Sequence, residues 1–348
     1  MPFNFQSSPT TGMQYVAPNG IVYIYDSNSS WCVDGRTQTS NPFLNSFKYR
    51  TIYTRGYMLG GYKDSSPWTN VNRTQHATDI TTNLGDILDR AGGYIDGGWS
   101  DYNAYCYNMS NGINAGVTST WTSSINMQTE TGRAHSTSWD ITSGRYEVGC
   151  IINASLTLAY LSGGGSYVTD KHNYVTDTMY SAGKCPNNPG IGGATMTTTF
   201  FGETKGWLIA SSAACSITFS TETWVNGGMS TASDGHSKVL GSKHGYGWGH
   251  NGGNTATTAI TKWNDTTGVS SGVVCYTPNN SGEENFEQGQ NWGYCLGHYN
   301  GVQNNETYRL NYLTDVVTSL GSDSQPKGHA GASSGANASA SSQILGGL

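Results

Sequence analysis

A short apolar run that closes on paired glycines returns again and again along this chain, and that recurrence constrains the fold more than any other feature. It is clearest in Gly56-Tyr57-Met58-Leu59-Gly60-Gly61-Tyr62, with echoes at 91–99, 158–164, 223–228, 246–253, 293–298 and 343–348. A second signature tends to follow, in which an aromatic or apolar residue precedes Asn or Asp and then a Thr/Ser/Gly turn. Its instances lie at 77–82, 106–112, 138–144, 173–177, 262–268 and 311–315. A strand ending in Gly-Gly, a loop, another strand and an Asx-type turn make one antiparallel sheet unit. Such a unit, recurring every ~30 to 60 residues, cannot bury its apolar face alone and reads as the blade of a propeller.

These residues resemble the kelch type of β-propeller, whose repeats carry a Gly-Gly pair at a strand end and an aromatic further on. The resemblance covers roughly residues 46 to 348 and implies an all-β, kelch-like β-propeller of about seven blades. The spacing is irregular between Ser162 and Asn226, and the repeat around 129–144 lacks a clear Gly-Gly. A Gly-rich β-protein with coincidental glycine pairs is the plainer alternative, since turns use glycine in any β fold.

Only 11% of the 348 residues are charged, against 47 glycines, so the polar surface has to be built from Ser, Thr, Asn and Tyr. A formal net charge of -6 spread thinly gives no basic stripe, which disfavours nucleic acid as a partner. No apolar run approaches the roughly 20 residues that a spanning helix needs, so membrane insertion is not expected. The first residues show no secretory leader, and synthesis in the cytoplasm is the expectation. Seven cysteines without metal-type spacing read as reduced, partly buried thiols.

Residues 1–38 form an N-terminal module ahead of a second domain, 39–348. Tyr15-Val16-Ala17 and Ile21-Val22-Tyr23-Ile24-Tyr25 read as strands, and Pro18-Asn19-Gly20 as the hairpin turn between them. So small a unit needs something to lie against. Pro9, Gly12, Tyr15, Asn19, Gly20, Tyr23, Tyr25, Asp26 and Trp31 together are similar to a short N-terminal module of structural proteins of tailed bacteriophages, particularly those infecting marine cyanobacteria. That resemblance implies a virion location and an anchoring role for these residues, with other virion proteins as partners. A hairpin that simply packs on the propeller is the alternative.

A first strand of the second domain is expected at 47–53. The Pro-, Gly- and Asn-dense stretches 183–193 and 277–284 read as surface recognition loops. The Ser/Gly/Ala-rich tail from Gly321 reads as linker, except that 343–348 repeats the blade signature and could close the ring beside the first blade.

Nothing in the sequence assembles catalytic machinery, a metal site or a cofactor site. His236, His244 and His250 fall near one another without a matching acid or thiol set. Glu283, Glu284 and Glu287 could serve a glycosidase only if Asp96, Asp101 or Asp170 faced them across a sugar. What abounds is Tyr and Trp, 22 and 10 copies, beside Asn and Ser, a surface suited to recognition. Trp68, Trp248 and Trp292, with Glu283 and Glu284, are the candidate recognition residues, while Trp99, Trp139, Trp224 and Trp263 are expected in the core. The reading is a non-enzymatic virion appendage, a fibre, whisker or decoration protein that presents a propeller to protein or host-surface glycan, with a homo-oligomer compatible. A polysaccharide-degrading propeller and a cellular kelch-like interaction protein are the alternatives.

Overall fold

The computed structural model describes residues 10–11, 13–16, 22–25, 31–33, 55–63, 66–91, 98–100, 104–109, 120–144, 148–152, 158–163, 166–184, 198–202, 204–210, 213–227, 239–241, 244–251, 255–281, 286–288, 292–299, 303–322 and 331–335. The chain is all-β and divides into two compact units, residues 1–52 with 338–348, and residues 53–337. The expected first strand at 47–53 lies outside the described residues.

In the first unit, β1 (Gln14–Val16) pairs antiparallel with β2 (Val22–Tyr25), Tyr15 opposite Tyr23. A third strand, β3 (Trp31–Val33), joins the other edge of β2 with Trp31 opposite Tyr25, so the expected hairpin is a three-stranded sheet. Pro9, Gly12, Asn19, Gly20 and Asp26 lie outside the described residues.

The second unit begins with β4 (Arg55–Leu59), a small ribbon of β5 (Tyr62–Lys63) and β6 (Ser66–Pro67), then β7 (Asn70–Gln75) and β8 (Ile80–Asp86). It continues with β9 (Gly98–Ser100), β10 (Tyr105–Met109), β11 (Thr122–Asn126) and β12 (Thr131–Gly132), then β13 (Val148–Ile152), β14 (Leu158–Gly163), β15 (Ser166–Asn173) and β16 (Thr178–Lys184). Next come β17 (Thr198–Phe201), β18 (Lys205–Ala210), β19 (Ala213–Thr218) and β20 (Thr223–Gly227), then β21 (Val239–Gly241), β22 (His244–Asn251), β23 (Thr255–Asn264) and β24 (Ser270–Ser281). The last are β25 (Phe286–Gln288), β26 (Trp292–Tyr299), β27 (Gln303–Asn311), β28 (Val316–Gly321) and β29 (Gly331–Gly335).

These strands make six four-stranded antiparallel sheets among the described residues, against the seven blades expected. Sheet 1 has the order β29-β4-β7-β8, and sheets 2 to 6 each take four consecutive strands. Its first strand is thus C-terminal, with Ser333 opposite Tyr57. That strand is Gly331–Gly335, inside the tail expected to be linker; 343–348, expected to supply it, lies outside the described residues. First strands of successive sheets lie against one another in the order β29, β9, β13, β17, β21, β25 and again β29, an arrangement that fits a β-propeller.

Apolar packing is divided into wedges between sheets. Trp99 and Tyr107 of sheet 2 meet Val148, Cys150 and Leu161 of sheet 3, and Ile151 and Tyr160 of sheet 3 meet Leu208 and Cys215 of sheet 4. Trp99, Trp139 and Trp263 are buried as expected, and Trp224 packs partly buried against the second of these wedges. A small residue precedes the central aromatic of each second strand: Gly56, Cys106, Ala159, Gly206, Gly245 and Gly293. The reason is close approach. A Cβ at Gly206 would lie 2.1 Å from Cγ2 of Ile151, and one at Gly245 would lie 2.3 Å from the Phe200 ring, in each case on the preceding sheet.

Third and fourth strands are joined by four residues at 76–79, 127–130, 174–177, 219–222 and 312–315, and by five at 265–269. At the start of four of these turns Asn126, Asn173, Asn264 or Asn311 accepts two backbone N–H groups through Oδ1, which shapes the turn locally. The fourth turn residue is left-handed in all six: Asp79, Glu130, Asp177, Glu222, Gly268 and Asp315. For a residue with a Cβ this conformation is unfavourable by about 1–2 kcal/mol, and Glu lacks the short side chain that eases it for Asp. Five carboxylates held there call for a compensating interaction.

Four outer strands share another device. Gly85, Gly183, Gly272 and Gly321 take positive φ with open space around each, so backbone conformation rather than packing selects glycine. Asn83, Ser270 and Ser319 accept from the N–H groups of Gly85, Gly272 and Gly321. Register shifts accompany these positions, and bulges of this kind blunt outer edges that would otherwise invite pairing.

Candidate functional site

Each left-handed carboxylate reaches across to the preceding sheet, where a buried tyrosine on the second strand and a cation bind it. Glu130 of sheet 2 accepts from Tyr57 at 3.3 Å and from Arg55 and Arg73 at 2.9 and 2.8 Å. Asp177 of sheet 3 accepts from Tyr107 at 2.8 Å and Arg133 at 2.6 Å, and Glu222 of sheet 4 from Tyr160 at 2.9 Å and Lys171 at 2.6 Å. Asp315 of sheet 6 accepts from Tyr246 at 2.9 Å and Lys262 at 2.8 Å. Asp79 of sheet 1 accepts from Tyr294 of sheet 6 at 2.8 Å and from Arg309. Strand register explains the recurrence: Tyr57, Tyr160, Tyr246 and Tyr294 lie directly opposite Arg73, Lys171, Lys262 and Arg309. One pair of facing residues therefore presents both donors to the next turn.

Two junctions depart from this scheme. In sheet 2, Ser124 stands opposite Tyr107, and Arg133 supplies the cation from beyond the last strand, bonding Ser124 as well as Asp177. Between sheets 4 and 5 the tyrosine is Trp207, the facing residue is Ser216 and the turn residue is Gly268. The Trp207 ring fills the carboxylate's place, since a Cβ on Gly268 would lie 2.5 Å from it, and its indole N–H donates to the Asp265 carbonyl at 2.8 Å. Phe200 stacks between Trp207 and Trp263.

The clamps perturb the groups that form them. Burial alone would raise the Asp177 carboxyl, but hydrogen bonds from His172, Arg133 and Tyr107 outweigh it and hold it well below the usual carboxylate range. Glu222 is lowered despite burial by hydrogen bonds from Lys171 and Tyr160, and Lys171 and Arg133 are raised in return despite theirs. Burial, with the Asp315 carboxylate beside it, lifts the Tyr246 hydroxyl far above a free phenol. His172 is fully buried; the Trp99 indole N–H, a pure donor, points at its Nδ1 at 3.1 Å, which places the ring proton on Nε2, facing Asp177 at 3.2 Å.

Sheet 2 also carries an outward-facing cluster. Its fourth strand stops at Gly132, where a Cβ would lie 1.8 Å from the Ile87 carbonyl oxygen of the passing linker. The chain then runs through a 3-10 turn at Thr137–Trp139, begun by Ser136, whose hydroxyl accepts from the Ser138 N–H. Along this edge rings and cations alternate. Arg133 lies 3.9 Å from the Tyr105 ring centre and 4.3 Å from that of Trp139; His135 is 6.4 Å from Trp139 and stacks 4.5 Å from Trp121; and Arg90 lies directly over Trp121. Asp140 Oδ1 accepts from the Thr122 N–H at 3.0 Å and faces His135 Nε2 at 3.0 Å, while Asp89 Oδ1 accepts from the Ser123 hydroxyl at 2.7 Å. Asp140 and Asp89 are thus anchored on the two residues that follow half-buried Trp121.

The residues singled out from sequence do not converge. Trp68 is half-buried just after the β5–β6 ribbon, and Trp292 is half-buried under the Arg309 guanidinium, 3.9 Å from its ring centre, so it serves a clamp. Trp248 lies on β22 opposite Ile260. Glu283, Glu284 and His236 fall outside the described residues. Asp170 is buried and accepts from the Thr142 N–H and hydroxyl. Among the described residues no three His, Cys, Asp or Glu side chains are grouped to hold a metal ion. Cys106, Cys150, Cys215, Cys275 and Cys295 are thiols that form no disulfide; burial, then the Asp315 charge, pushes the Cys275 thiol up to about 12.

No family model and no curated protein matches this chain. Among solved structures, that of YjhT aligns with a TM-score of 0.54 at 12% identity, covering 77% of this chain and 97% of that one. At such identity the likeness speaks to the fold alone.

Proposed function

We propose that this chain is a virion structural protein of a tailed phage: a small N-terminal sheet anchors it to the particle, and a closed, six-bladed, kelch-like propeller is presented to protein or a host surface. The observation that carries this reading is the division into a three-stranded unit and a clamped set of six sheets. Three strands of three or four residues cannot bury a core of their own, so the unit gains stability by docking. Its sequence pattern, from Pro9 to Trp31, supports a virion as the place of docking. The clamps support a scaffold, because the described turn carboxylates are committed to cations of their own chain and the sheets are fixed to one another.

The test is incorporation. A Tyr23→Ala, Trp31→Ala double variant is expected to leave the second unit folded yet missing from assembled particles. Normal incorporation would contradict the anchoring role.

A further inference from the structure

We infer that two copies of this chain pair edge to edge through β20, antiparallel strand against strand, about a two-fold axis at Val225. Such pairing does not depend on the virion reading.

An outer strand presents a row of backbone N–H and C=O groups that invites another strand, and native sheets usually blunt it. Here β8, β16, β24 and β28 are blunted by the bulges at Gly85, Gly183, Gly272 and Gly321, and β12 is only two residues long. β20 has neither protection. Its five residues pair with β19 in an unbroken register, β20 ends its sheet, and no described strand pairs with its free side.

Charge and symmetry select a second copy as the occupant. Neither β20 nor β24, the outer strand of the next sheet, carries a charged side chain, whereas the whole chain carries -6. Two net-negative molecules repel one another, and a strip without charge is where they meet at least cost. When two antiparallel five-residue strands overlap fully, the central residue of one faces the central residue of the other. That residue is Val225, which is apolar and exposed.

The junction beside β20 can take up the added strand. Val225 lies opposite Ser216, Ser216 opposite Trp207, and Trp207 reaches Gly268 of sheet 5, so Val225 looks toward sheet 5. From the other side, Val273 and Tyr276 stand opposite Thr261 and Ala259, on the face of β23 whose Trp263 packs with Phe200 and Trp207 of sheet 4. A register shift brings Val273 and Tyr276 to that one face although they are an odd step apart. Both are exposed, Tyr276 to 65%. A strand added to β20 extends sheet 4 alongside them, and its own valine covers them.

The experiment is sedimentation velocity on the full-length protein between about 5 and 500 μM, a range that brackets the weak affinities of small interfaces. The average sedimentation coefficient should rise with concentration. Val225→Lys and Val225→Glu should each weaken association at least about tenfold, because the axis sets like charges face to face, and an equimolar mixture of the two should recover it. Tyr276→Ser should weaken it about threefold or more through lost apolar contact. Val175→Lys, exposed on a turn of sheet 3, should leave it unchanged. Val225 and Tyr276 are exposed, so their variants report on association in a folded chain. A protein that stays monomeric throughout, Val225 variants that associate as before, or a mixture that does not recover would overturn the inference. The Tyr23→Ala, Trp31→Ala variant should pair as the unmodified chain does, so failure of anchoring and failure of pairing are separate results.

Discussion

The hydroxyl of Tyr294 donates to Oδ1 of Asp79 at 2.8 Å although 215 residues separate them. Arg309, opposite Tyr294 in the sheet, holds the same carboxylate. The last sheet is thereby joined to the first by the device that joins neighbours in sequence, where the tyrosine and carboxylate lie 62 to 73 residues apart. The left-handed turn and the buried tyrosine explain one another: the strained residue is kept because it alone puts a carboxylate between two sheets.

Gly268 is the turn position where this logic is inverted, and replacing it tests the inversion. Gly268→Ala meets both a left-handed backbone and the Trp207 ring, so it should destabilise by about 2–4 kcal/mol. Chemical denaturation would read this as a lower midpoint with unchanged slope. A neutral effect would mean that Trp207 does not occupy the place described.

Asp177 and Glu222 should differ in consequence. The side chains of Asp177 and Arg133 are 31% and 22% exposed, and the carboxylate has three donors, so Asp177→Asn is expected to lose about 1–3 kcal/mol. Glu222 is 42% exposed, where screening by water limits an ion pair to about 1 kcal/mol or less, so Glu222→Gln should be milder. Equal losses would contradict this ranking.

The pH dependence follows from the same shifts. Both carboxylates have folded-state values below their ordinary ones, so their contribution is complete above about pH 5 and disappears as pH falls through about 4 toward the lowered folded values. Lys171 and Arg133 are raised, so theirs is complete at neutral pH and lost only in strong alkali. Urea midpoints should therefore decline on the acid side, and Asp177→Asn should flatten part of that decline. An identical acid slope in the variant would remove Asp177 from the account.

Gly245 tests the close approach of neighbouring sheets. Its strand conformation suits any residue, so the whole effect of Gly245→Ala comes from the Phe200 ring, with an expected loss of about 1–3 kcal/mol. Restoration by Phe200→Leu in the same chain would identify the contact, and no interaction between the two changes would deny it.

Much of this architecture was legible in the sequence, though not through the glycine pairs that announced it. What recurs on second strands is a small residue followed by Tyr or Trp, so Lys205-Gly206-Trp207 carries no glycine pair to mark it, and Cys106-Tyr107, which opens one of the turn-like signatures, lies on a strand. Within 91–99 and 223–228, Gly98 opens a first strand and Gly227 ends a fourth, so these glycines mark other positions than the second strands. Turns at 173–177, 264–268 and 311–315 were visible because Asn and Asp, or Asn and Gly, mark them. Those at 126–130 and 218–222 carry Glu, a residue no turn rule favours, and only the neighbouring sheet explains it. Arg73 or Lys262 cannot be matched to its carboxylate until register is known, and the Trp121 cluster draws on a linker, a strand entrance and a 3-10 turn with no shared spacing.

The most direct measurement is a double-mutant cycle on the closing pair, using Tyr294→Phe, Asp79→Asn and their combination in urea denaturation at neutral pH. A coupling energy of about 1 kcal/mol or more is predicted, as for hydrogen bonds to a partly buried carboxylate. Strict additivity would show that the two residues do not meet, and the last sheet would then not be joined to the first.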